Sequence, residues 1–185
     1  MEAGSVCYQE ISKKMVMSTL SFLGAIVLGL SALVKLPILG TPVPITLQTF
    51  ALLTMAGMLT RYYAIQMVLW YIALGIVGIP FFANGAGLTY LTGATGGYLL
   101  GFIFAAILVG FFGSRQKTWI SGIGIYMLAA LCIYLPGIFQ LKMVTQSTWS
   151  NALLMGFYPF ILFDVIKAIA AYLGVRGTRK ILRNV

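Results

Sequence analysis

The sequence predicts an all-α integral membrane protein with six transmembrane helices, cytoplasmic termini and a small-molecule pocket that faces outward. Of the 185 residues, 61% are hydrophobic and 8% are charged, whereas soluble domains have about 25% charged residues. Six apolar segments follow one another, and Lys and Arg are unequally shared between the loops that join them. A core of this size cannot hide so much apolar surface, so we expect lipid to cover the helices.

The first three predicted spans lie in the N-terminal half. A membrane-crossing helix needs about 20 apolar residues, and residues 15–36 meet this requirement while exceeding the length of a signal-peptide core. Residues 45–60 form a short span that opens after Pro44, and residues 62–79 form a span that ends at Pro80. Proline is a natural boundary because it lacks the backbone N–H that a helix interior requires.

The last three predicted spans include one broken segment. Residues 96–113 form the fourth span, and residues 119–135 form the fifth, which we expect to end at Pro136. In the last apolar segment, residues 151–173, Pro159 suits the first turn of a helix better than its interior. We therefore expect a short helix over residues 148–157 and a full span over residues 159–174.

The distribution of Lys and Arg predicts the orientation, because cytoplasmic loops collect these residues. With six spans, nine cations fall on the side of both termini, two fall on the opposite side, and Lys167 lies within a span. We therefore expect residues 1–14 to be a cytoplasmic tail, 15–175 the transmembrane domain and 176–185 a basic cytoplasmic tail. The nine are Lys13, Lys14, Arg61, Arg115, Lys117, Arg176, Arg179, Lys180 and Arg183, and the two are Lys35 and Lys142.

Asp164 and Lys167 are the most informative residues of the chain. The other acidic residues, Glu2 and Glu10, lie in the N-terminal tail, so Asp164 is the only carboxylate in the transmembrane domain. A spacing of three places both side chains on one helix face, and a charge at membrane depth is costly enough to indicate a functional site. The alternative is an ion pair that only joins helices. We favour ligand binding.

Several classes of function are excluded or disfavoured. The net charge of +9 follows from the orientation rule and does not indicate a nucleic-acid partner. The chain has no histidine, and Cys7 and Cys132 are too few for a metal site or a disulfide framework. Neither nucleotide-binding glycine motif occurs, so we expect no cofactor, no metal and no intrinsic ATP binding. An intramembrane enzyme is disfavoured because no Ser or Cys has a visible base.

Three other features are candidates for a site or an interface. Residues 79–97 form a glycine-rich loop, which we interpret as a lid over the pocket or as a plain surface loop. Gln48 in the second span binds either a ligand or a neighbouring helix. The small residues Ser21, Ala25 and Gly29, at a spacing of four, indicate either internal packing or a docking face for another membrane subunit.

Four segments resemble the biotin-specific S components of energy-coupling-factor transporters, the BioY family. The similarity runs from about Met17 to Arg183, with the four segments in the family's order. They are P-V-P-I-T-L-Q-T-F-A-L-L (42–53), G-I-V-G-I-P-F-F-A-N-G-A-G (75–87), L-T-G-A-T-G-G-Y-L-L-G-F (91–102) and P-F-I-L-F-D-V-I-K-A (159–168). The chain departs from the family's usual pattern at Ala94, where proline is common, and at Leu162 and Phe163, just before the aspartate.

The resemblance implies a six-helix protein of the cell membrane that captures biotin and works with a transmembrane coupling subunit and two ATPase subunits. It implies that Asp164 accepts the ureido N–H groups, that Asn84 binds the same ring and that Lys167 pairs with Asp164 and donates to the ligand. Gln48 completes the expected polar set. We expect Phe81, Phe82, Tyr90 and Tyr98 to form the apolar wall.

Two other functions remain open at this point. An S component for a different vitamin would keep the fold but would call for a more aromatic pocket. A stand-alone carrier would use Asp164 as a proton site, and its transport would continue without any ATPase.

Overall fold

The computed structural model describes the backbone of residues 2–113 and 118–184, with side chains over residues 9–113 and 118–181. Two of the cations on which the predicted orientation depends, Arg115 and Lys117, therefore lie outside the described residues, as does the side chain of Arg183. Most of the described chain is helical, which confirms the all-α class. Its elements are α1 (Glu2–Leu33), β1 (Lys35–Leu36), β2 (Ile45–Thr46), α2 (Gln48–Met58), α3 (Arg61–Ile76), α4 (Leu88–Leu91), α5 (Gly96–Phe112), α6 (Trp119–Thr145), α7 (Trp149–Gly156) and α8 (Tyr158–Asn184).

Three described helices are long and apolar enough to cross a membrane by themselves. They contain the stretches Gln9–Leu33, Trp119–Thr145 and Tyr158–Ile181. α5 is a shorter apolar helix of 17 residues, while α2 and α3 have 11 and 16 residues. These shorter helices pack against the long ones, so the described residues form one helical bundle. Its buried apolar residues form a large core cluster and a smaller one that contains Val43, Tyr134, Leu141 and Phe160.

The second predicted span begins later than expected. Instead of continuing a helix, Ile45 and Thr46 pair with Lys35 and Leu36 as the short antiparallel ribbon β1–β2. Pro44 favours an extended chain at this point, and the Thr46 hydroxyl accepts the backbone N–H of Gln48 at 3.3 Å. The ribbon thus closes one end of the bundle and leaves α2 as a short helix.

The predicted break near Pro159 is confirmed. The Thr148 side chain accepts the N–H of Asn151 at the start of α7, which is the usual role of a threonine cap. Pro159 lies in the first turn of α8, where its missing N–H costs no helical hydrogen bond. α8 then continues to Asn184, ten residues beyond the predicted end at Gly174.

The predicted end of the fifth span at Pro136 is wrong, because α6 passes through this proline and continues to Thr145. A membrane helix tolerates proline where neighbouring helices compensate for the lost hydrogen bond. Here Pro136-Gly137 is a close contact between helices. A Cβ on Gly97 would clash with the Pro136 carbonyl oxygen, and one on Gly137 would lie 2.5 Å from the Tyr98 ring.

The small residues of α1 face the interior of the bundle, as the packing alternative expected. Ser21 is fully buried and donates to the Tyr63 carbonyl of α3 at 2.9 Å. Ala25 is also fully buried, and a Cβ on Gly29 would clash with the Phe81 ring. These contacts agree with internal packing, since this face of α1 is covered by the chain itself, and a docking role for the three residues stays a prediction.

Gly101 provides a test of the α5–α6 contact. A Cβ at this position would lie 2.6 Å from both the Cα and the carbonyl oxygen of Ile133, which are backbone atoms that cannot move aside. We expect Gly101→Ala to destabilise the protein by about 1–3 kcal/mol and to lower the midpoint of thermal unfolding in detergent.

Gly124→Ala is the matched control, because Gly124 lies on α6 and an added methyl group there would have no atom within 4 Å. That substitution should be neutral or slightly stabilising, since alanine is the better helix former. Equal midpoints for the two variants would contradict the close α5–α6 packing.

Candidate functional site

A cavity lies at the end of the bundle that is closed by the β1–β2 ribbon and the loop between α3 and α5. It is partly open, and its roughly 560 Å³ of non-atom space includes the solvent at its mouth. Its apolar walls are Val43, Pro44, Ala83, Leu99, Phe102, Ile133 and Phe160, and its polar lining is Thr46, Gln48, Thr49, Tyr90, Thr95, Tyr98, Tyr134, Asp164 and Lys167. Five of the six predicted ligand residues therefore surround one cavity.

Asp164 and Lys167 form the charged end of this cavity. They lie one helical turn apart on α8, and Lys167 Nζ donates to Asp164 Oδ1 at 2.9 Å. Asp164 is only 8% exposed, so its charge is held by direct partners more than by solvent. A carboxylate has about four acceptor positions, so Asp164 can still accept N–H donors from a ligand.

Tyr134 is the second partner of Asp164, and sequence reasoning missed it. Its hydroxyl, on α6, donates to Asp164 Oδ2 at 2.5 Å. Its ring lies edge-on to those of Tyr98 and Phe157, at centroid distances of 6.2 and 4.9 Å. The carboxylate is thus held between α6 and α8, with an aromatic cluster beside it. The only available signal was that a tyrosine inside a membrane helix needs a hydrogen-bond partner.

Gln48 lines the cavity but is already hydrogen-bonded within the protein. Its amide nitrogen donates to the Tyr71 hydroxyl at 2.6 Å, and its amide oxygen accepts from the Thr46 hydroxyl at 3.2 Å. The bond to Tyr71 joins α2 to α3, which is one of the two roles that the sequence allowed for Gln48. Gln48 therefore offers a ligand only its remaining hydrogen-bonding capacity.

Tyr98 and Tyr90 both line the cavity, and different contacts hold each of them in place. Tyr98 lines the cavity while its hydroxyl donates to the Gly156 carbonyl at 2.9 Å, which joins α5 to α7. Tyr90 stacks on Phe82 with ring centroids 4.7 Å apart. Burial raises the pKa of the Tyr90 hydroxyl, so this residue offers a neutral surface to a ligand.

Phe81 and Phe82 do not line the cavity, contrary to expectation. The Phe81 ring packs against Gly29 of α1, and the Phe82 ring packs against Gly75 of α3. Both rings therefore anchor the loop to the bundle instead of facing a ligand, and Phe82 supports the cavity only through Tyr90.

Asn84 lies at the rim, outside the cavity lining, and is exposed. Its side chain contacts the ribbon and its flank: Nδ2 donates to the Pro42 carbonyl at 3.5 Å, and Oδ1 accepts from Lys35 Nζ at 3.4 Å. Lys35 also donates to the Ala83 carbonyl at 2.6 Å. Asn84 would have to turn inward to reach a ligand at Asp164.

The glycine-rich loop is held in place by α6. The Gln140 side-chain nitrogen donates to the carbonyls of Leu91 and Gly93 at 2.6 and 2.7 Å. Gly87, at φ 93°, donates its N–H to the Gly75 carbonyl at 2.8 Å. Only the continuation of α6 beyond Pro136 brings Gln140 to this position, so the sequence could not predict the contact.

The arrangement suits recognition more than catalysis. One carboxylate, one ammonium and several hydroxyl groups converge on a largely apolar space, which is the usual composition of a ligand pocket. The fold and this cavity define a membrane-embedded solute-binding protein built from α-helices.

The model of the BioY family matches residues 8–184 of the chain. The protein therefore belongs to the BioY family.

Individual relatives give the same result. The chain is 37% identical over 155 residues to the biotin transporter BioY of Thermotoga maritima, covering 82% of this chain and 88% of that protein. It is 38% identical over 154 residues to the biotin transporter BioY2 of Lactococcus lactis, with coverages of 82% and 83%. Among solved structures, it is similar to the S-component for biotin from an ECF-type ABC transporter, with a TM-score of 0.83 and 26% identity over 91% of this chain and 93% of that one.

The substitution Tyr134→Phe tests whether the Tyr134 hydroxyl stabilises the Asp164 carboxylate. The substitution keeps the ring and removes the donor to Asp164, and a hydrogen bond to a charged group contributes about 1.5–3 kcal/mol. We expect a clear fall in the thermal unfolding midpoint. Tyr158→Phe is the control, because Tyr158 is 59% exposed and the loss of its hydroxyl should leave the unfolding midpoint unchanged. A midpoint unchanged by Tyr134→Phe would show that Asp164 does not depend on this bond.

Proposed function

We propose that the chain is the biotin-capturing S component of an energy-coupling-factor transporter and imports biotin. The observation that carries this proposal is the Asp164–Lys167 pair at the polar end of a largely apolar cavity, in a chain of the BioY family. A structural ion pair needs no adjacent cavity, whereas a ligand with a polar ureido ring and an apolar sulfur ring and methylene chain needs both features.

The ligand contacts follow from the chemistry of the lining. The ureido ring of biotin carries two N–H donors and a carbonyl acceptor. Asp164 accepts the donors, and Lys167, which keeps further N–H groups beside its bond to Asp164, donates to the ligand. Tyr90, Tyr98 and Gln48 line the remainder of the cavity. Asn84 joins the ring contacts by turning inward from the rim, where its present hydrogen bonds of 3.4 and 3.5 Å are long.

The membrane arrangement is part of the proposal. The helices α1, α2, α3, α5, α6 and α8 cross the bilayer of the cell membrane. Both termini then face the cytoplasm, with residues 1–14 and 176–185 as cytoplasmic ends of α1 and α8 and residues 15–175 as the embedded domain. The ligand cavity faces outward, and lipid covers the exposed apolar side chains.

Energy and partners come from outside the chain. The sequence has no nucleotide-binding loop, so a transmembrane coupling subunit and two ATPase subunits supply ATP-driven movement. An ion-coupled carrier would instead transport biotin without these subunits, and the loss of import when they are removed distinguishes the two mechanisms.

Asp164→Asn tests the ligand assignment. The amide is nearly isosteric but loses acceptor capacity and charge, so we expect biotin affinity to fall at least tenfold, about 1.4 kcal/mol. Binding is measured by calorimetry on the purified protein, across a panel that includes thiamin and riboflavin.

Lys142→Gln is the matched control, because the Lys142 ammonium lies over the Trp149 ring, away from the cavity lining. It should bind biotin like the unmodified chain. Affinity unchanged in Asp164→Asn, or tighter binding of another vitamin, would contradict the assignment.

A further inference from the structure

A second cavity lies at the opposite end of the bundle from the ligand site. It is open to solvent and is lined by the end of α2, the start of α3, the end of α5 and Arg179 of α8. Arg179 follows Lys167 by 12 residues on α8, which corresponds to roughly 18 Å along a helix. This cavity is therefore separate from the ligand site.

Two guanidinium groups from distant parts of the sequence line this cavity. Arg61 lies over the Phe111 ring at 5.2 Å from its centroid, and Arg179 donates to the Gly57 carbonyl. Within residues 9–113 and 118–181, neither Arg61 nor Arg179 forms an ion pair with a carboxylate. Each guanidinium has five N–H donors, so both keep donors available for an anion.

The surroundings add positive potential at this end. α3 begins at Arg61, and the residue before it, Thr60, provides no side-chain cap. The positive end of this 16-residue helix therefore lies at the cavity. The start of α3 is also fixed in place, because a Cβ on Gly110 of α5 would lie 2.7 Å from the Arg61 Cα.

The residues beside the cavity are of the kinds found at the membrane–water interface. Tyr62, next to Arg61, is 67% exposed, and Trp119, at the start of α6, is 56% exposed. Exposed Tyr and Trp at helix ends are typical of the membrane–water interface. Met58, which lines the cavity, is also exposed, so apolar surface continues from the cavity toward the lipid.

We propose that Arg61 and Arg179 bind the phosphate group of an anionic phospholipid in this cavity. Arginine matches phosphate oxygens with paired N–H donors, and basic pockets between membrane helices bind such headgroups. The site is independent of biotin, and it anchors α2, α3, α5 and α8 to one lipid at the end of the bundle where these helices meet.

Native mass spectrometry of the purified protein tests the proposal. Delipidated protein is mixed with equal amounts of phosphatidylglycerol and phosphatidylcholine, with and without inorganic phosphate. We expect the unmodified chain to retain one phosphatidylglycerol in preference to phosphatidylcholine. The double variant Arg61→Gln/Arg179→Gln should lose roughly tenfold or more of this preference, and Arg61→Lys/Arg179→Lys should keep part of it.

Lys142→Gln/Lys180→Gln is the control, because it removes the same charge from residues that do not line the cavity. It should retain the lipid, and thermal unfolding of every variant verifies that each is folded. Equal retention of both lipids, or equal loss in the control, would overturn the proposal. Displacement of phosphatidylglycerol by inorganic phosphate would also overturn the lipid assignment, by assigning the site to free phosphate.

Discussion

The Asp164 carboxylate, held by Tyr134 on one side and Lys167 on the other, is the interaction on which the site depends. A buried charge is stable only when direct partners replace water, and here the partners come from α6 and α8. The same bonds leave the carboxylate with acceptor capacity toward the cavity. The same hydrogen bonds therefore stabilise the contact between α6 and α8 and hold the Asp164 carboxylate where it can accept N–H donors from a ligand.

Close packing of α5 against α6 supports this interaction. Tyr134 reaches Asp164 from the part of α6 where α5 packs most closely, since Gly101 lies against the Ile133 backbone and Gly97 lies against the Pro136 carbonyl. The extra turns of α6 bring Gln140 to the glycine-rich loop, which then covers the cavity. A proline that breaks helices in water thus becomes, in a bundle, a contact point between two helices.

The sequence predicted those features that depend on local chemistry. Pro159 marked the start of α8, Gly96 marked the start of α5, and the spacing of Asp164 and Lys167 placed both on one face of a helix. What the sequence could not predict depends on contacts between distant segments. The bond from Tyr134 to Asp164 spans 30 positions, and the inward packing of Ser21 depends on Tyr63, 42 positions away. The helix end predicted at Pro136 is wrong for the same reason, since only the neighbouring helix shows why the chain continues through it.

The most direct measurement of the central claim is an experimental structure of the protein with biotin bound. We predict a ureido N–H group within about 3.2 Å of an Asp164 oxygen, with Lys167 and Tyr134 still hydrogen-bonded to the carboxylate and Asn84 turned toward the ring. Biotin bound elsewhere in the molecule, or bound in the cavity without contact to Asp164, would contradict this role of the carboxylate.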